Sequence, residues 1–266
     1  MSVDGEKQTG AQRVPDAAPA PAPAASEGTW LAPVMSIPGS QDLGDSGEYQ
    51  VVSRDRMSHL HIVSAHHFAE SALALEAGEA GEAGDASHDE ELQHRAHVTA
   101  AVLAAAAFLE ASINELYLEL QKLSQSGQPQ LRRELAMLPR VWPQIVGAPV
   151  LHKYQLALSV ADGDQYNESR PPFVDADSLI HLRDALLSYR PDWEDRRGKH
   201  RTLQKRLQTK FVPNGLASAD APWFPDKCLG AGCAKWAVRS VELFSDDFCH
   251  RMAIPARPLI GREGAA

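Results

Sequence analysis

SHDEELQHRAHVTAAVLAAAAFLEASINELYLELQKLSQS, residues Ser87 to Ser126, is the stretch whose reading decides the fold class. Ser87 followed three residues later by Glu90 forms a capping-box pattern, which satisfies free amides at a helix start. Beyond it, Val98, Val102, Ala105, Leu109, Ser112, Leu116, Leu120 and Leu123 recur at spacings of four or three. That period lines one face of a single long helix. Alanines 104 to 107 let a partner helix approach closely, and Gly127 to Pro129 ends the pattern.

Outward from this helix, the C-terminal half reads as further helices separated by turn signals. A short helix is expected from Gln130 to Leu138, followed by punctuation at Pro139, Pro143 and Pro149. Val150 to Ala161 is a third helix, stopped by the Asp162-Gly163-Asp164 turn. Asp175 to Tyr189 follows, with Leu179, Leu182, Leu186 and Tyr189 at helical spacing, and Pro191 stops it because a residue preceding proline is pushed out of the α region. Asp192 to Phe211 is another helical stretch, closed by Pro213-Asn214-Gly215. The last helix is expected to start near Pro225-Asp226. Its inner stripe is Leu229, Cys233, Trp236, Ser240, Phe244 and Phe248, and Gly230 and Gly232 suggest a close helix contact.

Towards the N-terminus the pattern weakens. Residues 1–28, centred on DAAPAPAPAASEG, are too rich in Pro and Ala to bury apolar surface and read as a disordered tail. Residues 29–86 form a lead-in. Within it, Tyr49 to Ser53 and His59 to Val63 have strand character and suggest a small hairpin. A short helix is expected from Ala65 to Ala77, and EAGEAGEAGDA reads as a flexible acidic loop. The fold class expected is all-α, a bundle of four or five main helices over residues 87–252, with a flexible tail at 253–266.

Composition narrows the function classes. The chain has 266 residues, of which 44% are hydrophobic and only 6% aromatic, and its net charge of −9 argues against the whole surface binding nucleic acid. A local basic patch remains open. Three cysteines, all near the C-terminus, do not make a disulfide framework. The longest uncharged apolar run, Val98 to Leu109, is too short to cross a bilayer, and no apolar signal-peptide core opens the chain. A cytoplasmic protein with no membrane partner is the expectation. His94 and His97 stand one turn apart, but no acidic or cysteine partners complete a metal set. No phosphate-binding glycine motif or nucleophile elbow is present. Neither a metal nor a small-molecule cofactor is expected.

Three segments carry a resemblance. Ala106 to Leu116 resembles the first long helix of bacterial HEPN-type proteins, Leu182-Arg183-Asp184-Ala185-Leu186-Leu187-Ser188-Tyr189-Arg190-Pro191 is similar to their arginine motif, and Trp223 to Phe248 is similar to a final helix of some members. The resemblance covers roughly residues 87–252. It implies a helical bundle that commonly dimerises and, in many members, cleaves RNA without a metal. That chemistry pairs an arginine with a histidine four to six residues on: histidine moves protons near neutral pH, and arginine stabilises charge on the phosphorus oxygens. Here Arg183 and Asp184 match the first two positions, and Ser188 fills the histidine position. Without a general acid-base group the rate falls by about a hundred- to ten-thousand-fold.

The resemblance therefore implies a degenerate site at Arg183, Asp184 and Ser188. The leading expectation is a module without standard ribonuclease activity, working as a homodimer, with a partner protein, or by weak RNA binding. An active endoribonuclease and a purely structural helical protein are the alternatives. A structural role for Arg183 would pair it with Glu110 or Glu115 of the long helix, because a buried charge needs a partner. Arg190 to Lys210 holds eight Lys and Arg against three Asp and Glu. Its Arg190, Arg196, Arg197, Lys199 and Arg201 are candidate RNA contacts. The competing reading is an ordinary amphipathic helix with Leu203 and Leu207 inward.

Overall fold

Ser58, Ile62, Ala65, Ala69 and Ala72 repeat at spacings of four and three and are all buried. They make the inner face of a helix, α1 (Met57–Glu79). The computed structural model describes residues 56–79, 88–125, 134–189 and 199–254. His59 to Val63 is therefore helical and not a strand. Its alternation of polar and apolar residues is short, and the longer helical period of the alanine face overrides it. The same helix extends the expected Ala65 to Ala77 segment at both ends and takes in the first acidic repeat through Glu79. Tyr49 to Ser53, the N-terminal tail, the rest of the acidic loop and the end of the C-terminal tail lie outside the described residues.

The long helix forms as read: α2 (His88–Gln125) carries Asp89, Glu90 and Glu91 in its first turn and Lys122 in its last. This arrangement complements the helix dipole. Its stripe is buried from Val98 to Leu120, whereas Leu123 is exposed. By composition, Asp89–Gln125 is long and apolar enough to cross a bilayer, a length that the twelve-residue run had understated. Yet 56% of its most apolar window is buried within the bundle, as in the core helix of a packed domain.

After a 3-10 turn at Leu135–Met137 come α3 (Leu138–Ile145) and α4 (Val150–Val160). The prolines at 139 and 143 do not end the helix as expected: Pro139 sits in the first turn, where a missing amide costs little, and Pro143 lies inside. Then follow α5 (Phe173–Leu187), α6 (Lys199–Leu207) and α7 (Ala231–Met252). The last helix starts later than Pro225, because Phe224 is extended and a separate turn occupies Trp223–Lys227. Among the described residues there are seven α-helices and no strand.

Helices α1, α2 and α7 pack mutually at the centre, α3, α4 and α5 lie against α2, and α6 lies on α5. Small side chains at Ala65, Ala69, Ala101 and Ala105, all buried, leave room for close helix approach. An aromatic cluster fills the seam of α4, α5 and α7. Tyr166 stacks on Phe244 at 4.8 Å, and Tyr154 meets Phe244 and Phe248 edge-on. The buried hydroxyls are satisfied by backbone, Tyr154 donating to Leu109 O at 2.8 Å and Tyr166 to Phe244 O at 3.1 Å.

The start of α7 is held from far away in the chain. Glu76, near the end of α1, accepts from the Ala231 amide at 2.8 Å and the Gly215 amide at 3.1 Å. A carboxylate at a helix start satisfies free amides and meets the positive end of the dipole. The glycines there serve a close approach, but to a loop rather than a helix. A Cβ on Gly230 would stand 2.5 Å from Asn214 Cα, and one on Gly232 would stand 2.6 Å from Val212 O.

Candidate functional site

Leu179 and Leu182 anchor α5 in the core, while Arg183 and Asp184 turn outward beside them. The Arg183 guanidinium donates through Nε (2.9 Å) and Nη2 (2.6 Å) to the same oxygen, Oδ1 of Asp184. The expected tie to the long helix is not formed. Glu110 is taken by Lys153, and Glu115 accepts from the Ser58 amide and hydroxyl at 2.9 and 2.5 Å. Arg183 is only half-buried, so a neighbouring carboxylate and water suffice for it.

Ser188 is the C-cap of α5. Its amide and its hydroxyl both donate to the Asp184 carbonyl, at 2.9 and 2.6 Å. The residue at the proton-carrier position thus closes the helix end. His181, two residues before Arg183, faces Asp177 at 3.7 Å. The His200 ring lies parallel to that of Tyr189, with centroids 6.4 Å apart, and packs against Phe224 at 5.2 Å.

Arg183 and Asp184 border a cleft of about 510 Å³ between α2, the α3–α4 corner and α5. Glu110, Val146, Lys153, Asp177 and Ile180 are among its other walls. Lys153 is the residue that sequence reasoning missed: its side chain is 2% exposed. The ammonium pairs with Glu110, donates to Asn114 Oδ1 at 3.2 Å and lies 5.5 Å from the centre of the Trp142 ring. Trp142 in turn stacks on Tyr117 at 4.9 Å. The signal was present, since Lys153 falls three residues after Val150 and four before Ala157 on the apolar face of α4. Across the cleft, two cations face three carboxylates, a balance that does not suit a polyphosphate backbone.

Part of the basic stretch makes ties within the fold. Arg206 pairs with Asp177, and Lys210 with Asp175, fastening α6 to α5. Leu203 and Leu207 are buried, in line with the amphipathic reading. Arg201 is exposed on α6, and Lys199 opens that helix. The Lys199 side chain and Arg190, Arg196 and Arg197 lie outside the described residues. Among the described residues, no three His, Cys, Asp or Glu come together as a metal set. In comparisons with known proteins, the chain matches no family model, no curated protein and no solved structure.

Proposed function

We propose that this chain is a HEPN-like helical module without the family's ribonuclease reaction, and that it works by binding a second protein chain beside Arg183. The observation that carries this reading is the state of Ser188. Its hydroxyl has little acid-base character near neutral pH and is spent on the Asp184 carbonyl. No histidine lines the adjoining cleft among the described residues. Binding is favoured by the apolar side chains exposed nearby: Leu187 is 69% exposed one turn beyond Arg183, and Val146, on the cleft wall, is 53% exposed. A second copy of this chain is the first partner to test, with RNA a weak ligand at most.

Purified protein is incubated with labelled structured and unstructured RNA beside an Arg183→Ala variant, and its mass is followed by sedimentation with and without Leu187→Glu. The expected result is no cleavage that depends on Arg183, and a dimer that Leu187→Glu dissociates. RNA cleavage abolished by Arg183→Ala overturns the non-catalytic reading. A monomer at all concentrations overturns the second-copy assignment.

A further inference from the structure

Asn214-Gly215 is the one asparagine–glycine step in the chain. Glycine carries no Cβ to shield its nitrogen, so the Asn214 side chain is open to attack by Gly215 N. In that reaction the Gly215 nitrogen gives up its proton and bonds to Asn214 Cγ. The Cγ–Nδ2 bond breaks, Nδ2 takes up a proton and leaves as ammonia, and a five-membered succinimide remains. Water then opens the ring at either carbonyl, leaving an aspartyl or an isoaspartyl residue. One water is consumed and one ammonia released, with no oxidant or reductant involved.

The fold ties down each group that this reaction needs. Glu76 Oε1 accepts from the Gly215 amide at 3.1 Å, while Oε2 accepts from the Ala231 amide at 2.8 Å. Asn214 Nδ2 donates to Asp226 O, and Oδ1 accepts from the Leu216 amide, both at 3.1 Å. These two bonds fix the side-chain amide from both ends. Asn214 is 8% exposed, and its backbone amide donates to Lys227 O at 2.8 Å. Glu76 is held below the ordinary carboxylate range, first by His94 and then, against the cost of burial, by the Gly215 and Ala231 amides. Such a carboxylate is far too weak a base to strip a peptide nitrogen, so it latches the Gly215 amide and does not activate it.

We propose that Asn214-Gly215 is a self-modification site, closed while Glu76 holds the Gly215 amide and reactive once Glu76 leaves it. The change is one-way on structural grounds. A Cβ on Gly230 would stand 2.5 Å from Asn214 Cα, so the backbone has no room for the methylene that an isoaspartyl residue adds to it. Either product also sets a new carboxylate beside that of Glu76, and like charges repel. The modified loop does not return to Glu76 with its former strength, and the departure is kept as a chemical mark. None of this depends on a role for Arg183.

The full chain is kept in mildly alkaline buffer, and the peptide holding residue 214 is followed by mass spectrometry and by enzymatic methylation of isoaspartate. Wild type, folded and in urea, is compared with Glu76→Ala, Glu76→Gln and Leu138→Ala. Folded wild type is expected to convert about a hundredfold more slowly than the urea-unfolded chain, the effect of two charge-assisted hydrogen bonds. Glu76→Ala loses both bonds and is expected to convert at least about tenfold faster than folded wild type. Glu76→Gln keeps the shape without the charge and is expected to fall between them. Leu138→Ala removes a buried side chain of α3, which packs on α2 and α4 away from this loop, so it lowers stability without touching the latch. Its rate at 214 is expected to stay near that of wild type. Asn214→Asp, which reproduces the aspartyl product, is expected to melt below wild type. Equal rates folded and in urea, no acceleration by the Glu76 variants, or matching acceleration by Leu138→Ala overturns the latch. An Asn214→Asp protein as stable as wild type overturns the one-way step.

Discussion

The Lys153–Glu110 pair makes the sharpest test of what holds the cleft together. Glu110→Ala leaves the Lys153 ammonium in place, 2% exposed, with Asn114 and the Trp142 ring as its remaining partners. Breaking a fully buried pair by deleting one member costs about 3–5 kcal/mol. Glu110 is itself 38% exposed and borders the cleft, so water can reach the stranded ammonium and the cost is discounted. The expected loss is about 2–3 kcal/mol. Lys153→Met behaves differently, because methionine keeps the stem packed on Trp142 and Glu110 rehydrates through the cleft. Its cost is expected to stay below about 1 kcal/mol. The double variant should then resemble Lys153→Met alone, giving a coupling of about 2 kcal/mol. Urea unfolding with linear extrapolation, at constant slope, measures all four proteins. Equal costs for the two single variants, or a Glu110→Ala loss below about 1 kcal/mol, would refute the stranded-charge reasoning.

Three further outcomes are expected. Gly230→Ala forces the 212–214 loop away from α7 and should destabilise by about 1–3 kcal/mol in denaturant unfolding, whereas Gly147→Ala, with nothing within 4 Å of the new Cβ, should not. Phe244→Ala, at the centre of the aromatic cluster, should cost about 3–5 kcal/mol in the same assay. Glu76→Gln should be destabilising at neutral pH, with a gap that closes in acid. A carboxyl whose folded pKa lies below its ordinary value of 4.5 contributes stability that is complete above that value and lost as pH falls through the folded one. Melting temperatures across that range, showing a gap that does not change with pH, would contradict this.

How much could be read from the sequence follows the length of each pattern. The stripe from Val98 to Leu120 spans six turns, so its helix, inner face and start were legible. His59 to Val63 offered five residues, too few to separate a period of two from one of 3.6. Its helical register emerges only when Ala65, Ala69 and Ala72 are counted with Ile62. Leu203 and Leu207 gave the inward face of α6, but the cation partners Asp175 and Asp177 lie about thirty residues away, and no local pattern connects them. Arg183 and Ser188 stood out by their spacing in a motif, and the structure puts them at the outer end of α5. The cleft beside them was not legible, because its buried charge sits on α4 and its counter-charge on α2. Glu76 looked like one acidic residue of a loop repeat, and only the fold gives it two amides to hold.

Since the first amide of α7 is tied to a side chain 155 residues upstream, the two ends of the bundle share one opening event. Hydrogen exchange at the Ala231 and Gly215 amides therefore becomes a gauge of whether α1 is docked. A protein shortened so that it lacks α1 would release those amides into the fast-exchanging class, and a synthetic peptide spanning Met57–Glu79, if it reoccupied its groove, would slow them again. The bundle can in this sense be divided and complemented, with a single carboxylate reporting reassembly.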